Sequence, residues 1–194
     1  DLPSLEAARR RLCFDELFLL QLGVLSRRHM WRTQEGYALH IPQEKIERFI
    51  ASLPFTLTGA QQRAILAILD DLQRPVPMSR LLQGDVGSGK TVVAVAAMLV
   101  AAWNGYQAAL MAPTSVLAEQ HYRTLQQLLA PFPEIRCELL MGSLSNSEKA
   151  RLHQEIAEGR IHLVVGTHAL IQKTVTFQRL GLAVVDEQHR FGVM

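Results

Sequence analysis

The segment Gly84-Asp85-Val86-Gly87-Ser88-Gly89-Lys90-Thr91 constrains this chain more than any other. It matches GxxxxGK[ST] in full, behind a short apolar run (Arg80–Gln83) and ahead of a long one (Thr91–Trp103). Strand, glycine-rich turn and helix are the context in which the pattern makes a phosphate-binding loop. Glycines let the backbone curl so that successive N–H groups point inward at phosphate oxygens. The positive end of the helix opening at Thr91 adds a favourable field. Lys90 reaches the β- and γ-phosphates as a mobile point charge, and the Thr91 hydroxyl suits Mg²⁺. A chance match in a chain of this length is roughly a one-in-a-hundred event. Gly84, Gly87, Ser88, Gly89, Lys90 and Thr91 are therefore the expected phosphate-binding residues, with a nucleoside triphosphate and Mg²⁺ as ligands.

Around this loop the sequence alternates between short apolar runs and amphipathic segments. Strands are predicted at Arg80–Gln83, Ala108–Met111, Cys137–Met141, His162–Val165 and Leu182–Val185, and helices at Thr91–Trp103, Val116–Leu129 and Ser147–Glu158. Such alternation predicts an α/β fold, a parallel sheet covered by helices on both faces. Ahead of the loop, Thr58 is placed to cap a helix bearing Ile65, Ile68, Leu69 and Leu72. Residues 1–53 read differently. Phe14, Leu17, Phe18, Leu22 and Leu25 recur at helical spacing, so Leu5–Leu25 is expected as an amphipathic helix. A polar segment with Trp31, Gly36 and Tyr37 follows, then a second helix from Pro42 to the stop at Pro54. The expected division is a helical connector over 1–53 and a phosphate-binding lobe over 54–194. The chain starts at Asp1 without an initiator Met, and is expected to begin inside a longer reading frame.

Hydrophobic residues at 48% suit a globular α/β protein, and the longest apolar run, Val92–Trp103, is too short for a membrane span. No membrane partner is expected. A net charge of +2 is too small to argue for nucleic acid by itself. Cys13 and Cys137 form no CxxC pair, which fits free thiols in a reducing cytoplasm rather than a zinc site.

A phosphate loop needs an acid opposite it. Leu182-Ala183-Val184-Val185-Asp186-Glu187 supplies two at a predicted strand end. Asp186 is the expected Mg²⁺ partner and Glu187 the expected base toward water. Adjacent side chains on an extended strand point opposite ways, so one carboxylate is expected toward the metal and the other toward water. A Glu beside the metal acid favours a phosphohydrolase over a small-molecule kinase. The expected catalytic residues are Lys90, Asp186 and Glu187.

Asp186-Glu187-Gln188-His189 resembles motif II of superfamily 2 helicases, and with Arg190-Phe191-Gly192-Val193 it resembles the RecG-type branch-migration helicases. Phe55–Gln61 resembles the adenine-reading segment of that family, Met111–His121 its motif Ia, and Val165–Leu170 a later DNA-facing motif. Ser115-Val116 departs from the usual motif Ia pairing of an acidic with an aliphatic residue. The resemblance implies a P-loop NTPase fold of the RecA-like kind, preceded by the connector and truncated at its C-terminus. It implies that Phe55 and Gln61 meet adenine, and that Pro113, Thr114, Gly142, Ser143, Thr167 and His168 lie on the DNA side. By resemblance the whole protein is an ATP-dependent DNA helicase acting on forks and junctions in recombination and repair, working in the cytoplasm as a monomer. A transcription-repair coupling translocase is the neighbouring alternative, and a non-catalytic nucleotide- or DNA-binding module is the expectation for the 194 residues alone. Its partners are branched DNA, a wedge domain upstream and a second RecA-like lobe downstream. In such lobes a later strand separates the P-loop strand from the Asp186 strand. The sequence ends before it, so Leu81–Gln83 and Ala183–Val185 are expected to face an unpaired gap.

Overall fold

The computed structural model describes residues 2–188, apart from the side chains of Leu2, Pro3, Arg28, Trp31 and Arg32. The segment from His189 to Val193, part of the resemblance above, lies outside the described residues.

Helix α1 (Leu2–Arg32) contains the expected Leu5–Leu25 but runs further, into the start of the polar segment expected to follow it; Gly36 and Tyr37 lie beyond its end. Residues 24–32 hold neither Gly nor Pro and are rich in good helix formers, so nothing local stops the helix there. Its apolar side chains, Leu12, Phe14, Leu17 and Phe18 among them, are exposed. Phe14 and Phe18 stack on each other at 5.8 Å.

Helix α2 (Gln43–Ala51) follows Pro42, which stands just ahead of it as N-cap. Its Ile46 and Phe49 are buried in the main core together with Leu39. Asn104 holds this region to the lobe through both backbone groups of His40, accepting from its N–H at 2.8 Å and donating to its carbonyl at 2.7 Å. Core membership thus extends back to Leu39, well ahead of residue 54.

Helix α3 (Gly59–Leu72) is capped by Thr58, and its four buried residues are Ile65, Ile68, Leu69 and Leu72. Helix α4 (Lys90–Trp103) is buried over almost its whole surface, from Val92 to Ala102. An apolar, Ala-rich helix of this kind belongs at the centre of a layered fold. It ends at Gly105, whose φ of +76° terminates the helix and turns the chain into the sheet.

Among the described residues the sheet has four parallel strands in the order β2-β3-β1-β4: β1 (Gln107–Met111), β2 (Cys137–Leu140), β3 (Leu163–Gly166) and β4 (Leu180–Val185). Helices α5 (Ser115–Leu129) and α6 (Asn146–Ala157) connect them. Alternating residues face opposite layers. Ala108, Leu110, Leu163 and Val165 enter the core beneath α4 and α5, whereas Ala109 and Val164 pack with Leu152 and Ile156 of α6. Both faces are covered, as the alternation predicts.

The expected strand over Arg80–Gln83 does not form; the segment joins no ladder among the described residues. Strand structure requires hydrogen bonds from a neighbour, and none is supplied there. On the described side β4 pairs with β1, leaving Leu180 and Val185 exposed along its edge. The segments 81–83 and 183–185 are therefore not paired with each other, as expected.

Candidate nucleotide and nucleic-acid site

The phosphate loop leads directly into α4. Gly87 and Gly89 have φ of +78° and +76°. Gly89 has a second reason to lack a side chain: a Cβ there would lie 2.4 Å from the Gln61 amide nitrogen. Lys90 Nζ folds back over the loop and donates to the carbonyls of Gly84 and Asp85, both at 2.8 Å. Ser88 N–H donates to Asp85 O at 3.1 Å, and Val86 stands fully exposed at the tip. Thr91 sits half-buried in the first turn of α4.

Gln61 contacts the loop from α3. Its Oε1 accepts from Thr58 N–H at 2.8 Å while its own N–H donates to Thr58 Oγ1 at 3.3 Å, a reciprocal capping box. The same amide donates through Nε2 to Ser88 O at 2.9 Å. The structure thus places Gln61 on the phosphate loop, a contact the sequence reading did not contain. The pattern Thr58-x-x-Gln61 carried the signal for the cap; nothing local signalled the bond to Ser88. Phe55, ahead of this helix, is about half exposed.

Topology sets the acid opposite. Helix α4 packs on β1 and β4, and a short turn returns its C-terminus to the start of β1. Its N-terminus, with Lys90 and Thr91, therefore lies toward the carboxyl ends of the strands. Asp186 follows β4 at that rim, with its N–H donating to Met111 O at 2.9 Å. Asp186 Oδ1 accepts from Glu187 N–H at 2.9 Å, and Oδ2 pairs with His121 Nε2 at 2.7 Å.

Glu187 departs from expectation. It is not on an extended strand; its φ is +46°, the one positive value at a non-glycine among the described residues. The two carboxylates are therefore separated by a left-handed turn rather than by strand pleating. Such a turn costs a non-glycine residue about 1–3 kcal/mol, and outliers of this kind collect at functional sites.

The hydroxyl of Thr91 and the carboxylate of Asp186 are hard oxygen donors. No cluster of three or more His, Cys, Asp or Glu that could enclose a metal occurs among the described residues. Few protein ligands, all oxygen, match the chemistry of Mg²⁺, which keeps most of its water and shares phosphate oxygens. The donor set fits that ion.

The remaining expected residues gather along the same rim. Pro113 and Thr114 follow β1, where Thr114 caps α5 by accepting from Leu117 N–H at 3.3 Å. Gly142 and Ser143 form an exposed turn after β2, with Gly142 O accepting from Lys149 Nζ at 2.5 Å. Thr167 and His168 follow β3, Thr167 half-buried and His168 exposed at the start of a short 3₁₀ turn. In open α/β sheets ligands are held outside the carboxyl ends of the strands, and all four strand ends here carry candidate residues.

Residues 58–194 match the DEAD/DEAH box helicase family. This chain belongs to that family. Among curated helicases it is 57% identical to the ATP-dependent DNA helicase RecG of Synechocystis sp. over 193 residues, which is 98% of this chain and 23% of that protein. A solved structure of RecG bound to a three-way DNA junction superposes with a TM-score of 0.88 at 48% identity, covering 98% of this chain and 26% of that one. The yeast DEAD-box splicing factor Prp28 shares the fold at 19% identity, with a TM-score of 0.58 over 78% of this chain and 37% of that one. The chain spans about a quarter of the length of the RecG relatives it matches. The expected resemblance to RecG-type helicases and the RecA-like fold are borne out. No helix among the described residues is long and apolar enough to cross a membrane.

Proposed function

We propose that this chain is the nucleotide-binding lobe of an ATP-driven DNA helicase that acts on forks and junctions in recombination and repair. One observation carries the reading: the phosphate loop at the N-terminus of α4 and the acid after β4 stand at one rim of the sheet. That rim also gathers the small and hydroxyl residues of three loops. The RecG relatives carry the name ATP-dependent DNA helicase, and one of their solved structures holds a three-way DNA junction.

The loop N–H groups between Gly84 and Lys90 orient the phosphates of ATP, and Lys90 exchanges its two carbonyl contacts for the β- and γ-phosphates. Thr91 and Asp186 would hold magnesium, which would supply charge neutralisation on the phosphate oxygens. Glu187 accepts the proton of the attacking water. Phe55 and Gln61 face the adenine, Gln61 by exchanging its bond to Ser88. Pro113, Thr114, Gly142, Ser143, Thr167 and His168 lie against the DNA backbone, where the hydroxyls of Thr114, Ser143 and Thr167 donate to phosphate oxygens, contacts that position without reading sequence. A second RecA-like lobe supplies an arginine toward the transferring phosphoryl group, and a wedge domain supplies the preference for branched DNA.

The test uses the whole protein. Lys90→Ala is expected to abolish nucleotide binding and hydrolysis. Glu187→Gln is expected to bind ATP about as well as the native protein while losing at least about a hundred-fold in turnover, within the range of a general base. Native turnover in either variant, measured with junction DNA present, overturns the assignment.

A further inference from the structure

The carboxylate of Asp186 is held by a side chain to which no role has been given above. His121 lies on α5 with its side chain 15% exposed, and its Nε2 is 2.7 Å from Asp186 Oδ2. An ionised carboxylate only accepts, so the Nε2 proton lies on the histidine. The separation is that of a charge-assisted hydrogen bond. Oδ1 is taken from the other side by the N–H of Glu187. A carboxylate offers about four lone-pair positions; with one used on each oxygen, one remains on each. The rotation of the group is fixed from both ends, and its free lone pairs are aimed rather than mobile.

The imidazole is delivered by a rigid element. Ala118, Leu125, Leu128 and Leu129 bury α5 against the sheet on either side of it. The N-cap of the same helix, Thr114, lies about 10 Å along its axis from His121.

We infer that His121 is a positioning residue for Asp186: its Nε2–H holds the carboxylate in the orientation that receives hydrated magnesium. This rests on the proposed role of Asp186 as the metal-facing acid. Partners of metal-holding groups that do not themselves touch the metal commonly change affinity by about ten- to a hundred-fold when removed.

The experiment uses the whole protein with a non-hydrolysable ATP analogue and Mn²⁺, read by electron paramagnetic resonance, together with metal-free nucleotide binding and thermal melting. His121→Ala and His121→Asn both remove a donor that can reach Oδ2. Each is expected to raise the Mn²⁺ concentration for half-occupancy about ten-fold, with metal-free nucleotide affinity held within about two-fold. His121→Gln carries an amide N–H to nearly the position of Nε2 and is expected to recover most of the loss. Wild-type Mn²⁺ occupancy in His121→Ala or His121→Asn overturns the inference. If the alanine variant does not fold, asparagine against glutamine decides it, and equal occupancy in those two overturns it. Asp186→Asn separates the premise from the inference. Wild-type Mn²⁺ occupancy in that variant overturns the role of Asp186, and the inference with it. Loss there, beside native binding in the histidine variants, overturns the inference alone.

Discussion

His162 stands just ahead of β3, at the rim away from the candidate nucleotide site. Its Nδ1 accepts from Arg136 N–H at 3.1 Å, so protonating that nitrogen removes the acceptor. Burial first, and then the charge of Arg136, hold its pKa below the ordinary 6.5, against a weaker opposing pull from Glu134. The folded protein therefore binds this proton less readily than the unfolded chain. The stabilising contribution is complete above about pH 6.5 and is lost as the pH falls through the lowered folded value. His162→Asn keeps an acceptor oxygen near the position of Nδ1 for Arg136 N–H but cannot titrate. The expected outcome is a melting temperature that falls less steeply between pH 7 and 5 in the variant than in the native protein. Identical slopes in a series of thermal melts would show that the histidine contributes nothing.

At the level of elements, the capping box of α3 does two things at once. Thr58 and Gln61 close the first turn of the helix, and the same Gln61 amide reaches the phosphate loop at Ser88. Gln61→Glu separates the two. A carboxylate still accepts from Thr58 N–H and is favoured at a helix N-terminus, so stability is expected within about 0.5 kcal/mol of native. Its other oxygen then faces the Ser88 carbonyl, acceptor against acceptor, and the loop is disturbed. Nucleotide titration is expected to show weaker binding of ATP and also of inorganic triphosphate, which has no base. If only ATP weakens, Gln61 acts on the adenine alone and not through the loop.

How far such elements were legible depends on where their hydrogen bonds come from. Helices α3 to α6 and strands β1 to β4 fall within a residue or two of their sequence-based positions, because caps, apolar periodicity and turn residues are local signals. Arg80–Gln83 has the composition of a strand but no partner, and composition cannot supply a ladder. The turn at Glu187 and the pairing of His121 with Asp186 were equally invisible. The first is a backbone choice at a non-glycine, and the second joins residues on two elements far apart in sequence. The glycine-rich turn ahead of α4 was legible in the sequence because its motif is a contiguous run.

In the whole molecule the two rims of the sheet differ in chemistry. At the start of the strands, Gln107 donates to the carbonyls of Ile156 and Ile161 and accepts from Arg179 N–H, and Glu155 is ringed by Arg136, Arg151 and Arg160. These bonds tie β1, β3, β4 and α6 together. At the other rim the loops carry candidate contacts that are mostly small and neutral. Contacts of that kind differ from lysine or arginine contacts in a measurable way. Neutralising a phosphate with a cation releases condensed counterions and adds to the salt dependence of binding, whereas a hydroxyl contact releases none. In the intact protein, Ser143→Ala and Thr167→Val are each expected to weaken junction binding about two- to ten-fold, as for one lost neutral hydrogen bond. The slope of log affinity against log salt is expected to stay at its native value, and the loss to be alike for junctions of different sequence. A slope that drops by about one with either variant would mean that a cation has been displaced, and that the rim grips DNA by charge rather than through its hydroxyls and amides.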